Sequence, residues 1–200
     1  TIKSGAFDLG IAVGYDKHER GAFRVNTGSA GEVDWYGGSG MALTTQFFGM
    51  KINRYMEEYG ITQSSLAKVS AKAFRLGALN ENAWRRQPLT EDEVLQSAML
   101  SYPLTQYMFC SPGEGGVALI LARADQAHKY TNKPIFLKSA VVKSRRYGSF
   151  EVLAPSLALD YSQGPTVDAS ASAFEKAGVG PADIDVAQLQ DTESGAEIMH

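Results

Sequence analysis

The chain has 200 residues, and its 19 lysines and arginines stand against 22 aspartates and glutamates. This near-neutral balance argues against a nucleic-acid-binding surface, which needs a clustered basic patch. A single cysteine excludes an internal disulfide and a cysteine-rich zinc site, and no apolar run reaches the roughly 18 residues of a membrane span.

The first predicted element is a short buried strand at residues 8–14, DLGIAVG, which a polar turn follows at residues 16–19. His18 lies in this turn, where an exposed loop histidine is the expected interpretation. Residues 20–40 then form a long glycine-rich loop. The loop lacks the lysine of a phosphate-binding P-loop, so we interpret it as a wall of a substrate pocket.

Two helices are predicted next, at residues 41–59 and 62–79, and Gly60 suits the end of the first. A capping-box pattern, TEDE at residues 90–93, predicts a short third helix. Between these elements Arg85 and Arg86 form a small basic spot. Such a spot is either a solvated surface or a site that binds a phosphate group.

A turn of small residues leads directly into a continuous apolar run within residues 103–124, PLTQYMFCSPGEGGVALILARA. A continuous apolar run predicts a strand that is covered on both faces. We therefore expect residues 117–122 to be a strand buried between helices, parallel and close to the strand at residues 8–14. The small residues before it allow a close approach to the backbone, so we expect Phe109, Cys110 and Ser111 to line a pocket.

The rest of the chain alternates strand and helix patterns. A short helix is predicted at residues 125–130 and a strand at residues 135–142. A helix at residues 166–177, with Thr166 as cap and Gly178 as terminator, precedes a strand at residues 186–189 and a final helical segment. Strands separated by helices indicate an α/β architecture.

Several of these segments resemble the thiolase superfamily. The turn at residues 110–112, CSP, resembles the one before a central thiolase strand. Residues 54–60 (RYMEEYG), 80–83 (NENA) and 88–90 (PLT) resemble the helical insert of sterol-carrier-protein thiolases and bacterial lipid-transfer proteins. Their order and spacing extend the resemblance over most of the chain from about residue 49 onward.

The resemblance implies an α/β, thiolase-like layered fold with mixed sheets flanked by helices, incomplete in 200 residues. Residues 1–133 would be the second half of a thiolase-like N-terminal domain with its helical insert. Residues 134–200 would be the start of a thiolase-like C-terminal domain. We therefore expect the sequence to be part of a longer chain.

The function that the resemblance implies is that of an acyl-CoA acyltransferase of lipid or steroid metabolism, similar to an acetyl-CoA acetyltransferase. A coenzyme A thioester would be the substrate, with no covalently bound cofactor and no metal. Two alternatives stay open: a non-catalytic acyl-CoA-binding subunit, or a steroid acyl-CoA retro-aldolase on the same fold. The resemblance also implies a homodimer and allows a small zinc-bearing acyl-CoA-binding partner. The N-terminal residues show no signal-peptide pattern, which predicts a cytoplasmic protein.

The candidate catalytic residues are Gln190 and Asp191, at the end of the last predicted strand. In the resembled family a histidine or asparagine there holds a water or the thioester oxygen. The Gln190 amide can donate such a hydrogen bond but cannot act as a base near neutral pH. The alternative interpretation is that both residues cap a helix that begins at Thr192. Arg85 and Arg86, which would meet coenzyme A phosphates, join the predicted turn residues as candidate substrate-binding residues.

The single cysteine, Cys110, is not where the resembled family has its nucleophile, which lies before the strand near residue 8. We interpret Cys110 as a small buried residue that lines a pocket. Removal of a nucleophile typically costs several orders of magnitude in rate. The sequence therefore predicts that these 200 residues have no thiolase turnover.

Overall fold

The computed structural model describes residues 2–18, 44–111, 113–144 and 164–200. The predicted glycine-rich loop at residues 20–40, which we interpret as a pocket wall, lies outside the described residues. The described α-helices are Thr44–Tyr59 (α1), Gln63–Leu79 (α2), Glu91–Gln96 (α3), Pro165–Ala177 (α4) and Ser194–Met199 (α5). The described strands are Leu9–Asp16 (β1), Met99–Ser101 (β2), Leu104–Thr105 (β3) and Gly115–Ala122 (β4).

The contacts divide the chain into two compact units. The first unit contains residues 1–13 and 118–187, and the second contains residues 14–117 and 188–200. The domain boundary that the resemblance implies near residue 134 stays a prediction. None of the described helices combines the length and apolar composition that crossing a membrane would need.

Local signals define the helices of the second unit. Gly60 adopts a φ of +68° just after α1, a left-handed conformation that glycine accepts without strain. The Ser65 N–H donates to the Thr62 hydroxyl, 3.3 Å away, and so caps α2. The predicted capping box is confirmed before α3, since the Thr90 N–H donates to the Glu93 carboxylate at 2.7 Å and the Glu93 N–H returns a bond to the Thr90 hydroxyl at 3.2 Å.

The core of the second unit lies where α1, α2 and α3 meet the short strands and the turn after them. Burial of each large aliphatic side chain there contributes about 1.5–3 kcal/mol. An ion pair between Lys72 and Glu197 adds a polar contact between α2 and α5. The buried core residues are Ile52, Leu66, Ala67, Val94, Leu104, Met108 and Phe109.

The strands β1 and β4 pair with each other, but not in the direction that the sequence predicts. The Arg123 N–H, just after β4, donates to the Asp8 carbonyl oxygen at 3.0 Å. Gly116, at the start of β4, lies against Gly14 and Tyr15 near the end of β1. The two strands therefore run in opposite directions, and the predicted parallel pairing is wrong. An apolar pattern does not encode strand direction, because side chains alternate in the same way in both kinds of sheet.

The predicted burial of this strand pair is also wrong within the described part of the chain. In β4 the side chain of Leu119 is 59% exposed and that of Leu121 is 42% exposed. In β1, Ile11 and Val13 are each 67% exposed. A continuous apolar run records that both faces are apolar, but it carries no information on which element covers them.

Three further predictions are corrected in the first unit and the final connector. Residues 135–142 and 186–189 form no strands, because no described segment pairs with their backbone groups. The cap of α4 is Gly164 and Pro165 is its first residue, so Thr166 lies inside the helix. Proline suits a first helical position because its missing N–H would have no partner there. Gly178 ends α4 with a φ of +68°, as predicted.

Candidate functional site

A cavity of about 190 Å³ opens within the second unit. It lies between α2, the segment before β4 and the segment that leads into α5. Its wall is mainly apolar and aromatic, with a few polar and charged groups. The lining residues are Val69, Ser70, Ala73, Phe74, Arg85, Tyr107, Met108, Phe109, Cys110, Asp191, Thr192 and Ser194.

A short backbone pairing builds one wall of the cavity. Phe109 forms an antiparallel bridge with Glu193, and the Cys110 N–H donates to the Thr192 carbonyl oxygen at 2.9 Å. These bonds hold Phe109 and Cys110 beside the segment that leads into α5. They place Asp191 and Cys110 on the same cavity although the two residues are distant in sequence.

The segment after Asp191 is held by a buried glutamate. The Gly195 N–H donates to Oε2 of Glu193 at 2.5 Å, which makes Glu193 the cap of α5. The helix begins at Ser194, so the alternative interpretation of Gln190 and Asp191 as its cap is wrong.

Glu193 is only 1% exposed, and its Oε1 has no hydrogen-bond partner within the described residues. Burial removes solvent from the carboxylate and raises the pKa of Glu193. The Gly195 N–H and the charge of Lys51 act in the opposite direction. The role of Glu193 is not evident from the sequence, because a glutamate near a helix start is ordinarily an exposed residue.

Cys110 is an exposed residue at the edge of the cavity, where we expected a buried one. Partial desolvation still raises the pKa of its thiol, and Asp191 adds to this effect. The backbone N–H of Cys110 and the charge of Arg85 lower that pKa in part. A raised pKa keeps the group as a thiol near neutral pH, and the thiolate is the nucleophilic form.

Arg85 lines the cavity inside a group of aromatic rings. Its guanidinium carbon lies 5.4 Å from the ring centre of Phe74, 5.7 Å from that of Trp84 and 5.9 Å from that of Tyr107. These distances are typical of cation–π contacts. The backbone of Arg85 also lies close to α2, because a Cβ added at Gly77 would be 2.8 Å from the Arg85 carbonyl oxygen.

The structure brings four of the sequence-predicted site residues to one cavity: Arg85, Phe109, Cys110 and Asp191. Three others are not among its lining residues. Of these, Ser111 is half-buried, whereas Arg86 and Gln190 are exposed.

The aromatic residues Phe74 and Tyr107 line the cavity and were missed from sequence. Their only sequence signal is apolar character near predicted site residues, which core residues share. His18 lies outside the cavity and pairs with Asp16 at 3.2 Å. Across residues 2–18, 44–111, 113–144 and 164–200, no group of three or more His, Cys, Asp and Glu side chains is placed to hold a metal ion.

Three curated relatives match nearly the whole chain. An acetyl-CoA acetyltransferase of Methanothermobacter thermautotrophicus is 30% identical over 96% of this chain and 49% of its own length. The benzoylsuccinyl-CoA thiolase subunit BbsB of Thauera aromatica is 25% identical over 100% of this chain and 50% of its own. Sterol carrier protein 2 of Bos taurus is 28% identical over 99% of this chain and 38% of its own.

The fold has a counterpart among solved structures. An Ltp2-ChsH2(DUF35) aldolase superposes with a TM-score of 0.75 at 21% identity, over 98% of this chain and 51% of that chain. No protein-family model matches the sequence. The chain spans half or less of the length of each curated relative described here. The α/β class is confirmed, and over nearly all of its length the chain is a relative of the thiolase superfamily, as its sequence predicts.

Proposed function

We propose that the cavity receives the acyl end of a coenzyme A thioester, and that the chain belongs to an acyl-CoA acyltransferase of the lipid-transfer type. The observation that carries the proposal is the meeting of Cys110, Asp191 and Arg85 on one mainly apolar cavity. Small-molecule sites typically combine apolar walls with a few convergent polar groups. The names of the acetyl-CoA acetyltransferase and sterol carrier protein 2 relatives support the same class of substrate.

The size of the cavity bears on the acyl group. About 190 Å³ is slightly more than the roughly 150 Å³ of an engineered protein cavity that binds benzene. An acyl group about as large as one ring therefore fits within the cavity, and a longer group would extend through its open side.

The charges around the cavity support binding by these residues more than nucleophilic attack by them. The raised pKa of Cys110 disfavours its thiolate, and no histidine is among the lining residues to activate it, so we assign Cys110 to the wall. Gln190 lies immediately before Asp191 but is exposed and is not among the lining residues, so its hydrogen bond to the thioester oxygen stays a prediction. A nucleophile and a base would then have to come from other parts of the protein.

A steroid acyl-CoA retro-aldolase remains the second candidate function. The solved structure of similar fold carries the name of an aldolase, which supports this alternative. An assay for release of an aldehyde or ketone from a β-hydroxyacyl-CoA would distinguish the two. Release by the intact protein would favour the aldolase over the acyltransferase.

The test of the proposed site is protection of Cys110 from a thiol reagent. Butyryl-CoA should slow modification of Cys110 in a saturable manner, and free butyrate should have a much smaller effect. The variant Ala73→Leu fills the cavity and should abolish protection, whereas Ser64→Leu on the exposed face of the same helix should preserve it. Equal modification rates with and without butyryl-CoA would argue against the site.

A further inference from the structure

The charged group in the cavity wall, Arg85, is placed to read the ligand. Arg85 is half-buried, and its guanidinium carbon lies within 6 Å of the centres of three aromatic rings, which favour a cation at this place on the cavity. The close approach at Gly77 fixes its backbone against α2. A planar guanidinium held in this way has its N–H donors pre-organised.

The donors of Arg85 are not used within the described part of the chain. No carboxylate there lies within ion-pair distance of its guanidinium, and no hydrogen bond from its side chain is found. The ion pairs of the described residues involve other basic side chains: His18, Arg54, Lys72 and Arg123. A half-buried guanidinium without an acceptor favours an anionic ligand group, and a carboxylate matches its fork in a bidentate manner.

A second polar group without a partner lies on the same cavity. Ser194 is 5% exposed, and its hydroxyl makes no hydrogen bond within the described residues. Buried hydroxyls are ordinarily bonded, so a ligand oxygen near Ser194 would satisfy this group. Two cavity residues, Arg85 and Ser194, thus lack the partner that an oxygen-bearing ligand would supply.

We propose that Arg85 binds a carboxylate at the far end of the acyl group, so that the site selects thioesters of dicarboxylic acids. This inference rests on the proposed acyl-CoA function. The aromatic and aliphatic wall, with Phe74 and Val69, would contact the carbon chain of such a ligand. Asp191 lines the same cavity, but it is exposed, and water screens its charge more than that of the half-buried Arg85.

This assignment differs from binding of a coenzyme A phosphate by Arg85. Arg86, the neighbour that would share such a role, is exposed and is not among the lining residues. A phosphate site at the surface would therefore depend on Arg86 as much as on Arg85. A carboxylate site in the cavity depends on Arg85 alone.

The experiment compares glutaryl-CoA with pentanoyl-CoA by titration calorimetry. The two thioesters have the same number of carbons and the same phosphates, and they differ in a terminal carboxylate or methyl group. We expect the protein to bind glutaryl-CoA about tenfold more tightly, the order expected for a hydrogen-bonded charge. The variant Arg85→Gln should lose this preference and keep its affinity for pentanoyl-CoA. The matched control Arg75→Gln, at an exposed arginine of α2 outside the cavity lining, should keep both.

The possible outcomes separate the carboxylate assignment from the proposed acyl-CoA function. Equal binding of the two thioesters by the unchanged protein would overturn the carboxylate assignment and leave the acyl-CoA function standing. An equal loss of both affinities in Arg85→Gln would instead assign Arg85 to a phosphate. Absence of binding by either thioester would overturn the proposed function and this inference with it. The variant Arg85→Lys retains the charge without the planar fork, so it should keep part of the preference for glutaryl-CoA. It provides a second test if Arg85→Gln does not fold.

Discussion

Substitution of Gly77 by alanine tests how the fold holds Arg85 at the cavity. Gly77 lies in α2, where alanine is ordinarily better than glycine by about 1 kcal/mol. Here the added Cβ would lie 2.8 Å from the Arg85 carbonyl oxygen, whereas ordinary contacts begin at 3.4 Å. The backbone at Arg85 would have to retreat by about 0.6 Å, the difference between these two distances.

Overpacking of this kind typically costs about 1–3 kcal/mol. Set against the gain in helix propensity, it leaves a net loss of up to about 2 kcal/mol in the free energy of unfolding. Because Arg85 moves away from its rings, the preference for glutaryl-CoA over pentanoyl-CoA should fall in the same variant. Affinity for pentanoyl-CoA should change little.

The assay is urea denaturation followed by circular dichroism, combined with the two titrations. The variant Ala78→Gly, one residue further along α2, measures the propensity difference in the same turn and should cost about 1 kcal/mol. If Gly77→Ala stabilised the protein by a similar amount, the close approach would have no energetic consequence. Gly77 would then have no part in positioning Arg85.

Four further predictions concern the site and one helix cap. Burial raises the pKa of Glu193, so the stability that its protonated form contributes is present below the ordinary carboxyl pKa of 4.5 and is lost as pH rises through the pKa of the folded state. Above the folded-state pKa, the urea midpoint of Glu193→Gln should therefore rise relative to that of the unchanged protein. Parallel pH profiles of the two proteins would contradict this. At mildly alkaline pH, Asp191→Asn should speed alkylation of Cys110 and Arg85→Gln should slow it, each by less than tenfold. A change in the same direction in both variants would contradict the opposite effects of these two charges on the pKa of Cys110. Thr90→Ala should lower the free energy of unfolding by about 1 kcal/mol in urea denaturation, and no loss would show that the capping box is dispensable. The chain should cleave acetoacetyl-CoA only at background rate, and robust turnover that disappears in Cys110→Ala would show that Cys110 is the nucleophile after all.

Local signals in the sequence determine much of the helical structure. Thr62 and Thr90 cap the helices that follow them, and Gly60 and Gly178 end the helices before them. These effects act within a few residues, because a cap or a left-handed glycine satisfies backbone groups of its own turn. The resemblance to thiolases was also evident from short segments, and the relatives confirm it.

The candidate site was predicted in part. Phe109 and Cys110 were expected on a pocket because a small-residue turn precedes an apolar run, and both line the cavity. The presence of Arg85 and Asp191 on the same cavity did not follow from their sequence positions. Glu193 is the cap of α5 because the helix begins at Ser194. A sequence pattern locates the start of a helix only to within a residue or two.

The tertiary structure alone decided the direction of the strand pair, its exposure and the surroundings of Arg85. The apolar runs of β1 and β4 predict strands, but the same runs suit parallel and antiparallel pairing and covered and open faces. Arg85 acquires its three aromatic neighbours from α2, from Trp84 and from the segment before β4. Contacts between residues distant in sequence depend on how the elements pack, and residue spacing records only what lies within one element.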